Sequence, residues 1–214
     1  MIMGVGKLPR EPFNVIVTGV GGQGSVMLSR VLANMLVMEG FRVTVGETFG
    51  ASQRGGSVMS HLRISEAYTW SPQIPKGCAD IIVALEPIEV IRILPSYINK
   101  NVLVLSNTRP IYPVGVIAGE SSYPSLEEIK KCVERLVCKA WFIDATDEAV
   151  KMGNSILGNI VLLGALSALE ALPLRRSFFR DVISEMVTED NVSLNLAVYD
   201  RGVELIKQDF DFRV

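Results

Sequence analysis

The chain has 214 residues, 49% of them apolar and 21% charged. That balance supports one well-filled core and excludes a disordered chain. A net charge of −2 leaves no basic surplus for nucleic acid, and no polybasic run suggests an anionic membrane.

Residues 1–12 read as an N-terminal extension, with one Lys, one Arg and no apolar run of signal-peptide length. Phe13 to Thr18, FNVIVT, is a β-branched run ending at glycines, which predicts a buried strand. Gly19 to Gly24 form the turn. Leu28, Val31, Leu32, Met35 and Leu36 then recur at helical spacing, and that helix closes near Gly40. Phe41 to Val45 is the next strand, and a right-handed crossover makes the two strands of this βαβ unit parallel. After a loop rich in small residues, Val58 to Ile64 alternates and fits a strand with one solvated face.

Asp80 to Leu85 is a buried strand, and Pro87 suits the first turn of a short helix to Leu94. Val102 to Leu105 is a further strand. Residues 107–124, with Pro110, Pro113 and Pro124, read as irregular with a short strand near Val114 to Ile117. Ser125 and Glu128 form a capping box for a helix to Cys138. Ala140 to Ile143 is the last strand, and helices follow over about 145–172, 175–184 and 191–207. The most apolar stretch, residues 156–169, is shorter than the roughly 20 residues of a membrane span and reads as a buried helix. A cytoplasmic protein is expected.

This order predicts an α/β fold: a doubly wound, mainly parallel sheet with helices on both faces and a helical C-terminal part. One domain is expected over 13–207, with a tail at 208–214. The C-terminal helices either cover one sheet face or clasp a partner. Cys78, Cys132 and Cys138 include no CxxC pair, which argues against a disulfide framework and an internal zinc or iron–sulfur site. The single histidine, His61, excludes a multi-histidine metal centre.

Gly19-Val20-Gly21-Gly22-Gln23-Gly24 matches GxGxxG between a strand and a helix. Glycines allow close backbone approach, and the following helix, beginning at Ser25, turns its positive end toward an anion. A dinucleotide site would also want an acid after the second strand, and Glu47 lies about there. Two other uses stay open. The glycines can serve only to pack helix on sheet, or Gln23 can bond a phosphate or a partner backbone.

The second unusual segment runs from Phe49 to Ser57 and holds Ser52, Gln53, Arg54, Gly55 and Gly56. Arg54 offers a fork of donors suited to carboxylate or phosphate. The segment follows the second strand, so it should meet the glycine turn at the carboxyl edge of the sheet. Single residues weigh less. His61 is expected to be structural, and Glu86 and Asp144, each directly after a strand, are by default solvated loop acids.

The pairing of GVGGQG with SQRGGSV and then a strand resembles the gamma domain of pyruvate and 2-oxoacid:ferredoxin oxidoreductases, from Phe13 to about Ile206. Asn154 and the pair Gly158-Asn159 fit the same pattern less distinctively. The resemblance implies a family that converts a 2-oxoacid and coenzyme A to acyl-CoA, carbon dioxide and reduced ferredoxin. In its indolepyruvate branch the substrates are arylpyruvates. It implies that thiamine diphosphate, magnesium and [4Fe–4S] clusters sit on a large partner subunit, since neither a GDG…N segment nor a CxxCxxCxxxCP run occurs in this chain. No catalytic residue and no metal are then expected here. The chain would complete a heterodimer or heterotetramer, reach ferredoxin only through the partner, and meet coenzyme A at the interface if at all. Exposed partner surface would also allow self-association.

Overall fold

In the computed structural model of the chain, residues 7–49 and 56–211 are described. Six strands form one sheet: β1 (Phe13–Val20), β2 (Arg42–Phe49), β3 (Ser57–Ser65), β4 (Ile81–Ala84), β5 (Leu103–Asn107) and β6 (Lys139–Ile143). Their order is β2-β3-β1-β4-β5-β6. β4 runs parallel to β1 and β5, and β6 runs parallel to β5. The α/β class and the mainly parallel sheet agree with the sequence.

Two expectations for the first three strands need correction. β1 and β2 point the same way but are not neighbours, because β3 lies between them and pairs antiparallel with both. The chain returns from β2 as a hairpin, and that hairpin fills the place a simple βαβ unit would leave to β2. β3 is therefore an interior strand, and its second face is not solvated. His61 and Arg63 are buried there beneath residues 66–79. The Arg63 guanidinium donates to Asn14 and to the carbonyl of Ser71 and lies 5.0 Å from the Trp70 ring.

Alternation along each strand builds two layers. Val15, Val17, Ile81 and Val83 face one core, covered by α1 (Ser25–Met38) and the C-terminal helices. Ile16, Ile82, Ala84 and Val104 face the other, covered by α2 (Pro87–Tyr97) and α4 (Leu126–Glu134). Ser125 and Glu128 make the expected capping box of α4, which ends at Glu134 rather than Cys138. Val114–Ile117 is one helical turn, α3, not a strand, because it stands off the sheet with no strand beside it.

The C-terminal part comprises α5 (Ala145–Lys151), α6 (Gly158–Ala168), α7 (Arg176–Met186) and α8 (Glu189–Asp211). α6 is apolar on every side because the sheet core lies on one flank and α8 on the other. Gly164 and Gly202 let α6 and α8 cross in close contact: a Cβ at either would stand 2.0 Å from a backbone oxygen of the opposite helix. These helices thus cover one sheet face. The described part of the N-terminal extension is also tied down, through Leu8 to Glu66 and Glu11 to Ser65. No described helix is long and apolar enough to cross a membrane.

Candidate functional site

After β1 the chain winds toward β2, and after β4 it winds toward β5 and β6. In open α/β sheets, crevices form at the carboxyl ends of such a divergent pair. A cleft of about 680 Å³ lies there. Gly22, Gln23, Leu85 and Asn107 line its floor; a strap over residues 109–117 and the segment from Thr146 to Leu162 line its sides.

The glycine turn is held from within. Gln23 accepts the Val20 N–H at 2.8 Å and donates Nε2 to the Leu85 carbonyl at 2.9 Å. The same carbonyl accepts Asn107 Nδ2 at 3.0 Å, and that nitrogen also reaches Thr146 Oγ1 at 2.8 Å. One polar chain therefore ties the ends of β1, β4, β5 and the start of α5. Asn107 and Thr146 are joined to it by backbone placement, which no local sequence signal reveals.

Gly24 has φ +82° and heads α1 with no side-chain cap, and the first turn of that helix carries no acid. A Cβ on Gly24 would stand 2.5 Å from Asn159 Nδ2, which donates to the Gly24 carbonyl at 3.3 Å. The Asn159 Oδ1 is buried with no partner among the described residues. Gly19 is equally confined, since a Cβ there would meet Gln23 Oε1 at 2.9 Å. Ser25 is buried, and its carbonyl accepts Ser29 Oγ at 2.9 Å.

The two loops meet. Gly21 N–H donates to the Gly56 carbonyl at 2.9 Å, which brings the glycine turn against the start of β3. Ser52, Gln53, Arg54 and Gly55 lie outside the described residues. Ser57, directly after them, donates to Glu89 at 2.5 Å, and Arg92 donates to the other oxygen of that carboxylate at 2.8 Å.

Glu86, expected as a solvated acid, is fully buried. Its Oε2 caps α2 through the Glu89 N–H at 3.1 Å. Its Oε1 accepts the Ile111 N–H at 3.2 Å and the Tyr123 hydroxyl. Burial raises its pKa, against the lowering effect of these donors. Ile111 lies on the strap and Tyr123 beyond its end, so one carboxylate oxygen holds the chain on either side of Val114–Ile117. Tyr112 stands edge-on to Tyr123, with ring centroids 5.1 Å apart.

The remaining predicted residues spread out. Glu47 is exposed on β2 opposite Ser60, with β3 between it and β1. A ribose-binding acid needs the strand beside β1, so this geometry does not bring Glu47 to the turn. His61 sits in mid-sheet opposite Ile16; its Nδ1 accepts the Ile74 N–H at 3.4 Å, and burial lowers its pKa. Asn154 is exposed and caps the short turn Ser155–Leu157 by accepting the Ile156 N–H at 3.0 Å. Through Ser155 and Ile156 that turn borders the cleft. Asp144 is exposed and accepts the Thr108 hydroxyl.

Residues 14–205 match the model of the pyruvate ferredoxin/flavodoxin oxidoreductase family. The chain is 39% identical over 199 residues to the indolepyruvate oxidoreductase subunit IorB of Pyrococcus horikoshii, covering 92% of this chain and 98% of that protein. Its fold is similar to a keto/oxoacid ferredoxin oxidoreductase gamma subunit from Geobacter sulfurreducens, with TM-score 0.64 and 18% identity over 92% of this chain and 99% of that one. It is also similar to the 2-oxoglutarate:ferredoxin oxidoreductase of Magnetococcus marinus, solved with 2-oxoglutarate, coenzyme A and succinyl-CoA. There the TM-score is 0.73 and the identity 23%, over 93% of this chain but 32% of the longer one. The chain belongs to the pyruvate ferredoxin/flavodoxin oxidoreductase family.

Proposed function

We propose that this chain is the small subunit of an indolepyruvate-type 2-oxoacid:ferredoxin oxidoreductase, which turns an arylpyruvate and coenzyme A into acyl-CoA and carbon dioxide and passes the electrons to ferredoxin. The end-to-end match with the P. horikoshii subunit carries this reading. A large partner chain holds thiamine diphosphate, magnesium and the [4Fe–4S] clusters, and ferredoxin is reduced through that partner. Thiamine diphosphate, when bound there, stabilises the carbanion left by decarboxylation. The described residues of this chain do not fit a cluster or metal, since no three His, Cys, Asp or Glu side chains converge. The proposed assembly is cytoplasmic.

The chain's own residues supply shape and an anion-favouring end. Gly22 and Gly24 give the approach to α1 its left-handed backbone, and the absence of an acid in the first turn favours a phosphate or carboxylate there. Coenzyme A or a partner carboxylate would suit that end, with Arg54 as a second contact. Gln23 and Asn107 position the turn. A free-standing dinucleotide oxidoreductase fits less well, because Glu47 stands two strands from β1.

The test is reconstitution. The purified chain is mixed with the large thiamine- and cluster-bearing chain, and indolepyruvate-dependent viologen reduction is measured with coenzyme A. No turnover by either chain alone and turnover on mixing is expected. Turnover by this chain alone would overturn the reading.

A further inference from the structure

Ile111, Tyr112, Ile117, Val150 and Ile156 are all large, exposed apolar side chains, and all line the one cleft at the carboxyl edge. Val114 stands beside them on α3 and is 81% exposed; Ile117 is 75% exposed. Apolar side chains so open and so concentrated mark a surface that another molecule covers. The charged lining consists of Arg109, which pairs with Asp147 at 3.0 Å and so leaves the rim near neutral. The rim itself, above the polar floor of Gln23, Asn107 and Asn159, favours an apolar contact.

The strap that carries most of this surface has little core of its own. α3 has no buried residue, yet the chain on either side of it is fastened to Glu86, through Ile111 before it and Tyr123 after it. Its exposed side chains are therefore presented in a fixed arrangement, which lowers the ordering cost of docking. The opposite wall stands on α5 and the turn before α6, both packed into the sheet core.

The occupant follows from the chain lengths. In the M. marinus enzyme the matching fold is 32% of one longer chain, so the rest of that polypeptide is joined to it. The P. horikoshii relative, 98% of which this chain covers, is by contrast named as a subunit. We propose that the rim formed by Tyr112, Val114, Ile117, Val150 and Ile156 seats an apolar segment of the large partner chain. This rests on the reading of the chain as a small subunit.

The test uses the full chain with Val114→Asp and Ile117→Asp together, at sites exposed enough to leave the fold intact, and Val37→Asp on α1 as a control remote from the cleft. Circular dichroism and Tm confirm folding. Affinity for the large chain is read by sedimentation, and the mass of each chain alone is recorded. The double variant is expected to bind roughly tenfold or more weakly, as for loss of central apolar contacts, while Val37→Asp binds like the wild type. Equal binding by the double variant would overturn the seat while leaving the subunit reading intact. So would a lone wild-type dimer that the double variant abolishes, since a second copy would then be the occupant. Failure of the wild-type chain to bind the large chain at all would overturn the subunit reading and the seat with it.

Discussion

Gly24 carries two demands at once. Its φ of +82° disfavours any side chain, and Asn159 fills the space a Cβ would take. Gly22 has φ +99° with nothing near its Cβ position. Gly22→Ala is therefore expected to cost about 1 kcal/mol, the price of left-handed backbone alone. Gly24→Ala should cost about 2 kcal/mol or more, because a buried side chain must also move. Thermal unfolding of the pair checks this, and equal costs would contradict the packing described. Glu86 gives a second test. Its folded pKa is raised above 4.5, so the folded state holds its proton more tightly than the unfolded chain does. Its contribution is then greatest below pH 4.5 and is lost as pH rises through the folded pKa. Glu86→Gln should gain stability relative to wild type as pH rises from 4.5, read from urea midpoints across that window. Tyr123→Phe removes one of the two donors to Glu86 Oε1 and should speed amide hydrogen exchange over residues 109–117 while Tm changes little.

At the scale of elements, the crossing of α6 and α8 depends on two glycines facing backbone. Gly164→Ala would drive a methyl group to 2.0 Å from the Tyr199 carbonyl oxygen, and a helix must shift to admit it. A loss of about 3 kcal/mol is expected, measured by denaturant unfolding. Local signals make much of this layer legible in sequence. β1, α1 and the α4 capping box announce themselves by alternation, helical spacing and a three-residue motif. The place of β3 is not legible, because a strand between two others shows the same alternation as one at an edge with a covered face. Its polar face, with His61 and Arg63, is hidden by residues 66–79, and sequence patterns do not report that cover. α3 misleads for a related reason: VGVI is β-branched, but no neighbouring strand is within reach.

For the whole molecule, the glycine turn reaches the start of β3 through Gly21 and Gly56, a contact made by the hairpin that the expected βαβ unit did not include. The cleft beside them is not legible. Asn107, Thr146 and Glu86 reach their partners across separations of 22 to 39 residues, and only the folded sheet brings them together. We propose the carboxyl edge as the working face of the subunit, where the turn, the strap and the exposed apolar rim converge. Amide hydrogen exchange of this chain, with and without the large partner chain, tests that placement most directly. Strong protection over residues 21–24 and 109–117, with residues 66–70 at the opposite edge unchanged, is expected. Protection confined to the opposite edge, with the cleft exchanging as freely as before, would contradict it.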